Sequence, residues 1–120
     1  MKNILLIDDD EIIQKILLKI LQQNGYNVTF GTDGRDGLSK LGLMPYDLVI
    51  TDIMMPYLNG FELIQELKQH PNTAAAKVVI ISSITHEASI TDSVNLGVDL
   101  YIPKPIVIDN FITKINQLLQ

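Results

Sequence analysis

Asp8, Asp9 and Asp52 carry the clearest chemical content in this chain. The first two close the run ILLIDDD at positions 4–10, and the third closes YDLVITD at 46–52. Each apolar run has the length of a buried strand that stops on aspartate. Open α/β sheets bind their ligands outside the carboxyl ends of parallel strands, so two acidic strand ends there would share one pocket. Carboxylates gathered in one place repel unless a cation lies among them, and an all-oxygen donor set points to Mg²⁺. These residues suit a site that holds a metal ion and handles a phosphoryl group.

The elements that must position them are legible as alternating strand-length apolar runs and helical periodicity. The spacing predicts strands over 3–7, 27–30, 48–51, 78–82 and 100–103. Between the first two, Ile13, Ile16, Leu17, Ile20 and Leu21 repeat as one face of a helix, which Asn24-Gly25 would end. A short helix over 33–41 contains Gly34 and Gly37, and a third over 60–69 stops before Pro71. A fourth is expected over 86–96, ending at Gly97. In the last, Asp109 is the expected N-cap, and Phe111, Ile112, Ile115, Leu118 and Leu119 share a face. Five βα units imply a doubly wound, flavodoxin-like parallel sheet of five strands with five helices. By analogy with such sheets the order is 2-1-3-4-5, with the switch point between the strands ending at Asp8 and Asp52.

Length and composition bound the rest. The 120 residues are expected to form one domain spanning 1–120, with 47% apolar and 19% charged residues. No apolar run reaches membrane-spanning length, and MKNILLIDDD lacks the features of a secretory signal. The absence of cysteine fits a cytoplasmic location. A net charge of −5 without a basic stripe argues against direct contact with nucleic acid.

The chain resembles the receiver domain of bacterial two-component response regulators. The resemblance spans essentially all of it, through the Asp8-Asp9 pair, TDIMMPYLNG at 51–60, IISS at 80–83 and YIPKP at 101–105. It implies that Asp52 is the phosphoacceptor, taking its phosphoryl group from a phosphohistidine of a sensor histidine kinase or histidine phosphotransfer protein. It further implies that Asp9, Asp52 and the backbone carbonyl of Met54 bind Mg²⁺ directly, with Asp8 acting through a coordinated water. Lys104, joined to Pro105 by a cis bond, and Ser82 would contact the phosphoryl oxygens. Tyr101 would be the switch aromatic, following Ser82 and altering the surface of the 86–96 helix, the fifth strand and the last helix for a downstream protein or output domain. Such a domain is not an enzyme in its own right and catalyses only its own phosphorylation and dephosphorylation. Met54 and Ile84 are apolar at the two places that govern phosphoryl lifetime in the family, which implies a long-lived phosphoprotein.

The remaining features refine this reading. Ser83 stands where the family more often has alanine, and Ile106 where phenylalanine is frequent. Leu18 lies off the main stripe of the first helix, whose wide apolar arc suits docking on a kinase's helical bundle, and Ile90 is a candidate exposed contact. From 83 to 103 there is no Lys or Arg, so a charged dimer face is poorly supported and a monomer is expected. Without metal the acidic cluster should be a stability liability, which either Asp9→Asn or Asp52→Asn would relieve. Two alternatives remain. A non-phosphorylated pseudo-receiver would be expected to have lost Asp9, Asp52 or Lys104, and all are present. A haloacid-dehalogenase-like phosphatase would carry its nucleophile in an Asp-x-Asp motif after the first strand, where Asp10 is followed by Glu11 and Ile12. Each residue also has an ordinary structural role open to it, Asp8–Asp10 as helix caps above all.

Overall fold

Side chains along a strand alternate between faces, and here both faces of the middle strands are apolar, so the sheet must be covered on both sides. The computed structural model, which describes residues 1–52, 60–83 and 97–120, shows this arrangement. Strands β1 (Asn3–Ile7), β2 (Asn27–Gly31), β3 (Leu48–Asp52), β4 (Lys77–Ser82) and β5 (Leu100–Pro103) form one sheet in the order β2-β1-β3-β4-β5, every neighbouring pair parallel. The described helices are α1 (Glu11–Gln23), α2 (Gly34–Lys40), α3 (Gly60–Gln69) and α4 (Ile108–Leu118), with a 3₁₀ turn at Leu41–Leu43. The expected doubly wound order is therefore observed. The helix expected over 86–96, including Ile90, lies outside the described residues, as do Met54 and Ile84.

Alternation sorts the core into two layers. Leu5, Ile7, Val49, Val78 and Ile80 face Leu63, Ile64 and Leu67 of α3, while Ile4, Leu6, Ile50, Val79 and Ile81 face Leu17 and Leu21 of α1 and Phe111 and Ile115 of α4. All five residues of β3 are buried, which fits a central strand covered on both faces. Burying each large apolar side chain contributes about 1.5–3 kcal/mol, so the two layers supply the main drive for folding.

Local chemistry explains where the helices stop and how closely they pack. Asn24 Nδ2 donates to Ile20 O at 2.9 Å, and Gly25 takes a left-handed φ of 85° that ends α1. After α3, Pro71 cannot continue the helix, and Thr73 Oγ1 donates to Leu67 O at 2.6 Å. Gly37 lets α2 lie directly on β1, because a Cβ there would stand 2.6 Å from Ile7 Cδ1.

Two local expectations are corrected. Ile16 does not join the core stripe of α1; it is 46% exposed, and the sheet-facing positions are Gln14, Leu17 and Leu21. Nor is Asp109 an N-cap. α4 begins two residues earlier than an Asp109 cap would place it, with extended Val107 in the cap position and Asp109 in the first turn, where its charge complements the helix dipole without a cap bond.

Candidate functional site

Sheet register brings the acidic residues together. Ile7 pairs with Thr51, so Asp8 and Asp52 leave adjacent strands one residue further on, side by side. Asp8 continues the ladder with its amide, which donates to Gly31 O at 3.2 Å, before the chain turns into α1. In that turn Asp8 Oδ1 accepts the Asp10 amide at 2.9 Å, and Asp10 Oδ1 caps the helix by accepting from Ile12 N and Ile13 N at 3.0 and 3.2 Å. The capping role open to all three acids thus falls to Asp10 alone. Asp8 and Asp52 are buried, Asp9 is exposed, and one carboxylate oxygen from each lies within 4.8 Å of the others.

Lys104 enters from the other side. It follows β5, where Pro103 pairs with Ser82, and its amide donates to Ser82 O at 2.8 Å; its bond to Pro105 is cis. Its Nζ donates to Asp52 Oδ2 at 2.6 Å and lies 3.5 Å from Asp8 Oδ2. Burial pushes the Asp8 carboxyl above the ordinary carboxylate range; the Asp10 amide and Lys104 oppose this, while the charges of Asp52 and Asp9 add to it. Burial alone would lower Lys104, but its hydrogen bond to Asp52 and the charges of Asp8 and Asp52 outweigh that and raise it. Three carboxylates against one ammonium leave two formal negative charges, and the donors are all oxygen, so the residues present fit a hard divalent ion such as Mg²⁺.

Ser82 is fully buried at the end of β4, one residue beyond Ile81, the register partner of Asp52. Tyr101 pairs with Ile80 on β5, half-buried against the core layer that includes α3. Every candidate side chain within the described residues therefore belongs to one edge of the sheet or the strand leading to it. Two features went unanticipated. Gln14, on the apolar face of α1, is buried and donates from Nε2 to Gly31 O at 3.2 Å. An apolar groove of about 190 Å³, lined by Ile13, Ile16, Leu17, Pro105, Ile106 and Ile108, opens beside Lys104. The exposed Ile16 is the signal that connects the two: it belongs to the groove and not to the core.

A family model described as "Response regulator receiver domain" matches residues 4–116. The chain belongs to the response regulator receiver domain family. It is 31% identical over its whole length to response regulator ArlR of Staphylococcus epidermidis, of which it spans 53%. A CheY-like receiver domain protein from Methanospirillum hungatei superimposes with a TM-score of 0.92 at 28% identity, covering 99% of this chain and 94% of that one. Response regulator TrrA of Thermotoga maritima, solved in complex with Mg(2+)-BeF, gives 0.85 at 33% identity, covering 99% and 100%. Receiver domains are regulatory phosphoacceptor domains and not enzymes in the usual sense, and the pocket of Asp8, Asp9 and Asp52 is of the kind their acceptor sites have. The pseudo-receiver and phosphatase alternatives are not favoured. Such domains bind Mg²⁺ at the acidic pocket and interact with histidine kinases and output domains. No helix among the described residues is long and apolar enough to cross a membrane.

Proposed function

We propose that residues 1–120 act as a phosphorylation switch in which Asp52 takes a phosphoryl group from a phosphohistidine of a sensor histidine kinase or histidine phosphotransfer protein. The observation that carries this reading is the contact of Asp52 Oδ2 with Lys104 Nζ inside a cluster of three converging carboxylates. A carboxylate oxygen of Asp52 attacks phosphorus as the P–N bond of the donor breaks, and the imidazole leaves with the electron pair. The work left to this chain is positioning and charge neutralisation. Lys104, already oriented toward the acceptor, offers its ammonium to the phosphoryl oxygens as the Asp52 carboxylate becomes an acyl phosphate. Ser82 donates its hydroxyl to another oxygen. Asp9, Asp52 and the Met54 carbonyl would hold Mg²⁺, with Asp8 acting through water. When bound, the ion would offset carboxylate charge and polarise the phosphoryl group.

Phosphorylation replaces one charge on Asp52 with a larger, multi-acceptor group, and only movable donors can report that. Ser82 and Tyr101 are those reporters in this reading, and β5 with α4 carries the change to a downstream protein or output domain. The donor's helical bundle would dock on α1, placing an apolar side chain in the groove beside Lys104. The domain works as a cytoplasmic monomer that touches neither nucleic acid nor membrane directly. Intact-mass measurement after incubation with acetyl phosphate tests this. One phosphoryl adduct is expected with Mg²⁺, little with chelator, and none for Asp52→Asn; an undiminished adduct in that variant refutes the assignment.

A further inference from the structure

Three positions of α1 are buried: Gln14, Leu17 and Leu21. Their spacing is that of one helix face, so an amide stands where the pattern would place a third apolar residue, at the end nearest the acidic pocket. A buried amide is unfavourable unless it is hydrogen-bonded. Gln14 Nε2 donates to Gly31 O at 3.2 Å. That oxygen also accepts the amide of Asp8 at 3.2 Å, the bond that holds the first acid to the end of β2.

The residues between these two donors shape the pocket. Asp8 Oδ1 accepts the Asp10 amide, Asp10 Oδ1 accepts the amides of Ile12 and Ile13, and Asp10 O accepts the amide of Gln14 itself at 2.9 Å. Residues 8–14 are thus fastened at both ends to a single carbonyl oxygen. The anchor is itself confined, since a Cβ on Gly31 would lie 2.9 Å from the backbone of Gly37 in α2.

We infer that Gln14 is a positioning residue for the acidic pocket: by tying the first turns of α1 to the carbonyl that holds Asp8, its amide keeps Asp8 and Asp9 converged on Asp52. This rests on the reading of those acids as an Mg²⁺ pocket. Loss of the N–H would leave the α1 face packed through Leu17 and Leu21 but free the turn at 8–10 to drift, spreading the carboxylates. The consequence is weaker metal binding, beyond any general loss of stability.

Calorimetric titration of the 120-residue chain with Mg²⁺ separates the possibilities, using wild type, Gln14→Met, Gln14→Arg and Asp9→Asn, each also melted in chelator to establish that it is folded. Methionine keeps the length without the donor, whereas arginine supplies N–H donors again. Partners that orient metal ligands directly are worth about 10–100-fold in affinity, so one step further out Gln14→Met should raise the dissociation constant about three- to tenfold. Gln14→Arg should return it to within about twofold of wild type, which a merely structural role would not require. Wild-type affinity in Gln14→Met, or a loss that arginine leaves unrestored, overturns the inference. If Asp9→Asn binds weakly in that same experiment, the pocket itself stands. Absence of Mg²⁺ binding by the wild type overturns both.

Discussion

Replacing Lys104 by methionine should destabilise the metal-free protein by about 2–3 kcal/mol while tightening its hold on Mg²⁺. The ammonium lies 2.6 Å from Asp52 Oδ2 and 3.5 Å from Asp8 Oδ2, and the side chains of the two acids are 8% and 2% exposed. At an effective dielectric of about 20, two unit charges at that longer separation interact by about 5 kcal/mol. Dehydrating the ammonium takes back much of this, and removing one partner of a buried pair is typically worth about 3–5 kcal/mol. The lower figure applies because Lys104 is itself 17% exposed and Asp8, already raised by burial, can take up a proton when its counter-charge is lost. For a chain of this size the loss corresponds to a melting temperature lower by about 10 °C. The assay is thermal melting in chelator at neutral pH for Lys104→Met, Asp52→Asn and the double variant. The double variant should recover part of the loss, with a coupling of about 1 kcal/mol or more. Adding Mg²⁺ should stabilise Lys104→Met more than wild type, because the ion no longer competes with the ammonium for the same carboxylates. A Lys104→Met protein that melts within about 2 °C of wild type in chelator would show that the pair contributes nothing in solution.

Other outcomes follow from the same geometry. Asp8 has a folded-state pKa above the ordinary 3.8, so the stability it contributes is fully present below that value and is lost as pH rises through its folded pKa. Urea titrations without metal should show this decline, Asp8→Asn should abolish it, and Mg²⁺ should stabilise increasingly over the same window. Asp9→Asn should raise the melting temperature in chelator, since it removes repulsion and no ion pair among the described residues, whereas Asp52→Asn forfeits the Lys104 pair and should not stabilise. Equal stabilisation by both would contradict the ion-pair geometry. Gly37→Ala should lower stability by about 1–3 kcal/mol in urea melts, because its Cβ would meet Ile7 Cδ1 at 2.6 Å in a packed core.

Most of the fold was legible because it is written in periodicity. The runs at 4–7 and 48–50 are apolar at every step, as strands covered on both faces must be, and the structure buries both layers they imply. The convergence of Asp8, Asp9 and Asp52 was legible for the same reason: strand ends in a parallel sheet share an edge. Contacts that depend on side-chain reach were less so. That Lys104 pairs with Asp52 and lies close to Asp8 changes the expectation that Asp52→Asn relieves repulsion, and no spacing in the sequence encodes a 2.6 Å ion pair. Periodicity also cannot rank the members of a wide apolar arc. It placed Ile16 with Leu17 and Leu21, while the geometry turns Ile16 outward to the groove and seats Gln14 inward, where Gly31 O offers an acceptor. At the start of α4, Asp109 had the right residue type for a cap, but the extended Val107 before it begins the helix.

The central claim is that Asp52, and no other acid of the pocket, receives the phosphoryl group. Reduction with borohydride tests it most directly, because hydride converts an acyl phosphate to the alcohol and leaves free carboxylates untouched. The chain is phosphorylated with acetyl phosphate and Mg²⁺, reduced, digested and sequenced by tandem mass spectrometry. Homoserine is expected at position 52, with Asp8 and Asp9 unchanged. Homoserine at 8 or 9, or a phosphorylated chain that yields none, would contradict it.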